Sequence, residues 1–551
     1  MRLLVRARPL ARVLMLMLAL CALGMADHAP SDGAGLQDST RDGPSFEEAR
    51  RALREPWSDA RARGVRALAE IGSDQAWGLV IECLEDGDAR VADTAELALA
   101  GLPGGAVRDR LMGRDGLHSG NDLVRRRVAR ALGRMSGPLD GERLVAALDP
   151  RDPPGARAIC RTLERAAHEH REQGDRQQGD RQHGDREHGD WQQEERLPEE
   201  RLRGNRARMV RGLVRLLGSR MPQDLAADAL AAIVALDPAS GRREVEESLE
   251  DRRPRVRAAA VRLFEGPGER LRGALADEHS CVRMAAVGAL AARRDSAGAR
   301  ALVARLGLEE RSRIRERILG ELRSLSGLRH GSDPRPWSDW ARGLEPGWRP
   351  SPTLDRAERP ATRTHAGLST VPLSSDRFVM LVDFSGSLWA PRPDGRRRKD
   401  LLDVQVPQLL MRMPASSRFN LVPYATRPSP WKERLVEATA RNKRSASRAF
   451  ERCNLTGKGD LWGALQDQLA DPEVDTILVV TDGAPTGGDC WDLGLLGELL
   501  EEECRWSSIT VDMVLIDGSP GLHSRWREIT SRTGGQLTAV RFDEAEEVRS
   551  P

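Results

Sequence analysis

The run Phe378-Val379-Met380-Leu381-Val382-Asp383-Phe384-Ser385-Gly386-Ser387 constrains this chain more than any other stretch. Its apolar part predicts a buried parallel strand, which ends abruptly in one carboxylate and two hydroxyls at alternate positions. In open α/β sheets, ligands bind beyond the carboxyl ends of the strands, so these oxygens fall where a site would be built. A second apolar run, Thr476-Ile477-Leu478-Val479-Val480-Thr481, leads into Asp482-Gly483. Two strand ends that each present an Asp, in loops with no nucleophile–base pair, imply oxygen ligands for a hard cation. Such a site points to cation-held binding and away from catalysis.

The surrounding pattern supplies the rest of a sheet. Strands are predicted at 378–383, 419–424, 476–481, 509–516 and 536–540, and helices at 399–413, 445–453, 460–469, 493–505 and 525–532. This alternation over residues 375–541 predicts a doubly wound, mostly parallel α/β domain.

Residues 45–345 follow a different rule. Gly64-Val65-Arg66-Ala67-Leu68, Ala95-Glu96-Leu97-Ala98-Leu99 and Val128-Ala129-Arg130-Ala131-Leu132 recur about every 30 residues, and so do later Ala/Leu stretches near 158, 227, 259, 286 and 318. Stacked pairs of such amphipathic helices form an α-solenoid. The repeats divide into 45–167 and 203–345, separated by a polar insert at 168–202. The insert carries near-identical pentapeptides beginning at Gly174, Gly179, Gly184 and Gly189. These cannot bury enough apolar surface to fold, so the insert is expected to be disordered, and its histidines lack a rigid frame to hold a metal. Trp337 and Trp340 are expected to cap the last repeat. Residues 346–374 read as a Pro/Arg/Thr/Ser linker, and 542–551 as a tail.

With 86 basic and 84 acidic residues, the net charge is only +2, so no nucleic-acid or anionic-membrane partner is expected. Lysine occurs only at Lys399, Lys432, Lys443 and Lys458, and coding bias explains the arginine excess more simply than phosphate binding. Residues 1–26 read as a signal peptide: Arg2, Arg6, Arg8 and Arg12, then Val13–Leu23, then Gly24-Met25-Ala26, with the mature chain starting at Asp27. Export to the periplasm or beyond follows, with no membrane span in the mature chain. No pair of the remaining cysteines has C-x-x-C spacing, which disfavours zinc and thioredoxin-like chemistry. Cys453 and Cys490 are expected near one another at one sheet edge, as a disulfide or as free thiols in equal measure.

The repeats resemble short HEAT-type repeats of the kind found in phycobilisome-lyase-like proteins, though no lyase activity follows. Asp383-x-Ser385-x-Ser387 and Val480-Thr481-Asp482-Gly483 resemble the metal-ion-dependent adhesion site of a von Willebrand factor type A domain. The resemblance implies that Ser385 and Ser387 ligate the ion directly, and that Asp383 and Asp482 do so directly or through water. Weakly held Mg²⁺ or Mn²⁺ is the implied cofactor, with a partner protein's carboxylate completing the octahedron. One departure stands out. Family members place a Thr ligand before an Ala-Leu helix, whereas this chain reads Gly457-Lys458-Gly459-Asp460-Leu461-Trp462-Gly463-Ala464-Leu465, which puts Gly459 in that position. Thr456 would have to loop back to replace the hydroxyl, and Lys458 would repel a cation or neutralise the carboxylates.

The chain thus resembles exported bacterial proteins that join helical repeats to an A-type domain. The expectation is a non-enzymatic scaffold or adhesion protein, with the solenoid serving one partner and the A-type domain another. Two other readings stay open: a metal-dependent hydrolase, and a structural protein whose metal site has degenerated.

Overall fold

The computed structural model describes residues 45–102, 105–135, 140–183, 199–350, 363–365, 367–371, 373, 375–392 and 394–542. The expected signal peptide, and with it the Asp27 start, lies outside the described residues, as does the tail beyond Phe542. The architecture below belongs to one unit spanning residues 46–551.

Eight inner helices stack in sequence, each against the next: α1 (Ser58–Ile71), α2 (Ala89–Gly101), α3 (Asp122–Arg134), α4 (Pro153–His183), α5 (Gln223–Leu236), α6 (Pro254–Leu263), α7 (Ser280–Ala292) and α8 (Ser312–Ser326). Shorter helices return between them on the outer side. Alanine at the contact positions lets neighbours approach closely, while Val65, Leu68, Leu99, Leu132, Leu230 and Leu290 fill the shared core. Capping side chains mark the helix starts: Ser73, Asp88, Asn121, Asp140, Asp237, Asp295 and Asp333 each accept a backbone N–H from the first turn. At the far end Trp337 is fully buried and meets His330 and Trp340 edge-on, which closes the last repeat.

The polar insert departs from its expected boundary. Helix α4 runs on through it as far as His183, and helix resumes at Glu199. Once the apolar turns of 156–163 have nucleated a helix, extending it costs little even for a polar sequence. Arg171 also ties it down, donating to the Ala235 carbonyl of α5 at 2.8 Å.

The C-terminal domain carries a seven-stranded sheet: β1 (Arg363–His365), β2 (Arg377–Asp383), β3 (Arg418–Tyr424), β4 (Val436–Glu437), β5 (Thr476–Thr481), β6 (Thr510–Ile516) and β7 (Leu537–Val540), in the order β1-β7-β6-β5-β2-β3-β4. All pairings are parallel except β3 with β4. Helices α9 (Arg398–Arg412) and α10 (Ala440–Glu451) cover the face carrying Phe378, Met380 and Val382. Helices α11 (Leu461–Leu469), α12 (Leu493–Cys504) and α13 (Pro520–Arg532) cover the face carrying Val379 and Leu381. The linker reading of 346–374 is corrected within its second half. Arg363–His365 adds an edge strand beside β7, and Leu368 and Val371 are buried in the core. Three residues are too few to show any periodicity in sequence.

The inner face of the solenoid is occupied by the chain's own C-terminal domain. Trp506, just after α12, packs into the solenoid core and donates its indole N–H to Asp228 of α5 at 2.7 Å. Arg134 reaches Glu498 (2.5 Å), Arg157 reaches Glu503 (2.8 Å), Arg161 reaches Glu502 (2.5 Å), and Arg505 returns to Glu164 (2.6 Å). Behind them Glu96 is wholly inaccessible and accepts from Arg127, Arg130 and Arg134 at 2.8–3.0 Å. Buried ion pairs of this kind fix register more than they add stability.

Candidate metal centre at the switch point of the sheet

From β2 the chain winds outward to β3 and β4, then returns on the other side of β2 to form β5, β6 and β7. The topological switch point therefore lies between β2 and β5, where a doubly wound sheet opens a crevice. Register places Val382 opposite Val480, so Asp383 and Thr481 leave the sheet at one level.

Four sequence-expected residues converge there. The Asp383 carboxylate accepts from the Ser385 backbone N–H (2.8 Å) and the Thr481 hydroxyl (2.8 Å). The Ser385 and Ser387 hydroxyls lie 3.2 Å apart, and Ser387 donates to Asp482 at 2.8 Å. Asp383 is only 4% exposed, and burial pushes its carboxyl above the usual range, with the neighbouring Asp482 adding to that push. A cation stands beside the site: Arg398, at the start of α9, has its guanidinium 3.6 Å from Asp482 and also meets Asp517 at 3.3 Å.

The modulating residues fall differently. Gly459 is buried against the site: a Cβ built there would stand 3.4 Å from Asp383 Oδ1, 3.4 Å from Ser385 Cβ and 3.5 Å from Thr486 Oγ1. Thr456 is exposed. Lys458 does not act on the carboxylates as expected; it turns away and pairs with Asp88, the N-cap of α2, at 3.3 Å. Asp460 caps α11 by accepting the Gly463 N–H at 2.8 Å.

Sequence reasoning missed Thr486. Its hydroxyl accepts the Gly459 N–H at 2.7 Å, and the Gly459 carbonyl accepts the Thr486 N–H at 3.1 Å, so the loop after β5 folds back over the loop before α11. A second hydroxyl-bearing loop thus borders the gap that Gly459 leaves. The signal was the pair Gly487-Gly488. A Cβ on Gly487 would collide with Lys458, and one on Gly488 would stand 1.9 Å from Asp460. Only glycine lets the two loops pass. The far end of the same loop is held by the solenoid, where Asp93 accepts from the Trp491 and Asp492 N–H groups (2.7 and 2.8 Å) and Arg127 donates to the Asp489 carbonyl (3.0 Å).

The expected proximity of Cys453 and Cys490 is corrected. Cys453 borders the core under α9 and α10, whereas Cys490 is buried in the core on the opposite face of the sheet, and both are free thiols. The β2–β5 layer separates them.

The donor set fits a small hard cation. Adjacent oxygens of an octahedron with bonds of about 2.1 Å stand about 3.0 Å apart, and the Ser385–Ser387 and Ser387–Asp482 pairs, at 3.2 and 2.8 Å, bracket that edge. Among the described residues there is no group of three or more His, Cys, Asp or Glu that could hold a metal.

No family model matches this chain, and no curated protein matches it. Among solved structures, the conserved hypothetical protein BatB from Bacteroides thetaiotaomicron is similar over 31% of this chain and 94% of its own, at 14% identity and a TM-score of 0.23. The SpRpn10 VWA domain is similar over 32% of this chain and 96% of its own, at 14% identity and a TM-score of 0.24. The RO (RSR) protein of Deinococcus radiodurans is similar over 90% of this chain and 86% of its own, at 14% identity and a TM-score of 0.20. These are likenesses of fold. Among the described residues no helix is long and apolar enough to cross a membrane.

Proposed function

We propose that this chain is an exported, non-enzymatic scaffold that captures protein ligands through Mg²⁺ or Mn²⁺ held by Asp383, Ser385, Ser387 and Asp482. The observation that carries this reading is the convergence of those four side chains at the switch point, with spacings that suit an octahedral edge. The bound ion would offer an open position to a carboxylate of the partner. Thr486 borders that position and gives the site the hydroxyl that Gly459 lacks. Two neutral hydroxyls and the nearby Arg398 keep the ion weakly held until the partner arrives, so metal and partner bind cooperatively. The site loops contain no histidine to serve as a base. The Arg398–Asp482 pair favours one second reading, a cation-free structural cluster in which the guanidinium takes the place of the ion.

Calorimetric titration of the full chain with Mn²⁺ separates the two. The adhesion reading expects saturable heat that Asp383→Ala abolishes in a chain that still unfolds cooperatively. It also expects Mg²⁺-dependent, chelator-sensitive capture of a partner from the native source. If wild type and Asp383→Ala give the same trace, the cluster is structural.

A further inference from the structure

On two successive helices the inner face is lined by rows of arginine. Helix α3 presents Arg127, Arg130 and Arg134, and α4 presents Arg157, Arg161 and Arg165; all reach the C-terminal domain except Arg130, which pairs with Glu96 of α2. At the same helical spacing α7 presents Ala285, Gly288, Ala289 and Ala292. Where the long side chains give way to small ones, the solenoid and the domain part, leaving a cleft of about 1440 Å³ between α6, α7 and α8 and the first residues of β6. Cβ atoms added at Gly288 or Gly320 would meet nothing within 4 Å, so the floor is open.

The walls carry uncompensated positive charge. Five arginines line the cleft against Glu316 and Glu321. Arg313 is matched by Asp512 (3.3 Å) and Arg317 by Glu321 (2.8 Å). Arg262 opens onto the same space over the Trp506 ring, its guanidinium carbon 5.9 Å from the ring centre. Arg323 donates to the His330 carbonyl, and Arg329 completes the rim. Ser324, Ser507 and Thr533 also line the cleft.

We propose that this cleft binds an acidic, extended peptide segment of a protein partner. The volume exceeds the 300–1,000 Å³ typical of small-molecule pockets, and the smooth Gly/Ala floor of α7 leaves room for a main chain. Arg262 on α6, Arg323 on α8 and Arg329 just beyond it form no ion pair among the described residues, so the unmatched charges are spread along the cleft. Carboxylates two or three residues apart on an extended chain span about 7–10 Å. Charges strung out in this way match a row of carboxylates better than they would clamp one phosphate. The site is independent of the metal centre, which lies at the other end of the strands.

The test is fluorescence anisotropy on the full chain with a labelled heptapeptide of alternating Glu and Ser, in chelator and at low ionic strength. Binding is expected to survive chelation and to weaken as salt is raised. Replacing Glu by Gln in the probe should abolish it. Arg262→Ala should weaken it about tenfold, the scale of one lost charge pair. Gly288→Trp, which fills open space, should block it with an unchanged melting temperature. The proposal is overturned if the acidic peptide does not bind, or if both variants bind it as the wild type does. It is equally overturned if a single-stranded oligonucleotide binds more tightly than the peptide and is displaced by Gly288→Trp. Because chelator is present throughout, none of these results bears on the metal reading.

Discussion

Glu96 and Asp383 are both nearly inaccessible carboxylates, and their surroundings are opposite. Glu96, at the docking interface, sits among three guanidinium groups that hold its carboxyl down at about 2 against the cost of burial. Asp383, at the sheet edge, has hydroxyls, a backbone N–H and another carboxylate for neighbours, and burial moves it upward. One acid is neutralised by its own chain; the other is left with lone pairs to share. That difference in neighbours, guanidinium groups against hydroxyls and a second carboxylate, is what sets the two buried acids apart.

The comparison breaks most visibly at Glu96. Glu96→Ala would take the counter-charge from Arg130 and one of two partners from each of Arg127, which keeps Asp93, and Arg134, which keeps Glu498, at a cost of about 3 kcal/mol. Urea unfolding of the full chain would show it as a lower midpoint. Because the folded carboxyl is depressed, its contribution is present above the unfolded value near 4.5 and is lost as pH falls toward about 2. A loss below about 1 kcal/mol would mean that the arginines find other partners and that the joint is not centred on this acid.

Asp475, at the start of β5, sharpens the contrast as an intermediate case. One oxygen accepts from Ser375 and, at 3.0 Å, from Thr476, while the other has no partner among the described residues. Burial lifts this carboxyl to about 6, only partly opposed by those hydroxyls and by Arg311. The folded protein therefore binds the proton more tightly than the unfolded chain, and stability should fall as pH rises from about 4 to about 6. The effect is at most about 3 kcal/mol. Asp475→Asn should flatten that slope. A slope that survives the substitution belongs to another group.

The central strands and the four site residues were legible because a buried parallel strand is an unbroken apolar run, and because its end is marked by the first polar residues. Edge strands β1 and β4, of three and two residues, left no such trace. The docking of the two domains was not read from the sequence, where the arginine excess was put down to coding bias. Arg127, Arg130 and Arg134, and then Arg157, Arg161 and Arg165, recur at helical spacing on successive helices. What they would meet depended on the placement of Glu498, Glu502 and Glu503, more than 300 positions away, which local pattern cannot supply. The direction of Lys458 was hidden for the same reason, since its partner Asp88 belongs to the other domain.

The smallest expected effect tests whether the site repairs its own departure. If the Thr486 hydroxyl serves in place of the one missing at Gly459, Thr486→Val should weaken Mn²⁺ binding by about three- to tenfold, at most about 1.4 kcal/mol. The melting temperature should barely move, since Thr486 is exposed. Gly459→Thr in that background should restore affinity, because the new side chain would point to within contact distance of both Asp383 and Ser385. A merely structural Thr486 would not be rescued in this way, because a hydroxyl introduced at position 459 cannot re-form the hydrogen bond that the Thr486 side chain accepts from the backbone N–H there. Calorimetry on the wild type, the single variant and the double variant decides it. Equal affinity in the wild type and Thr486→Val would leave the octahedron to Asp383, Ser385, Ser387, Asp482 and water, and Asp383 would then differ from Glu96 only in lacking a guanidinium.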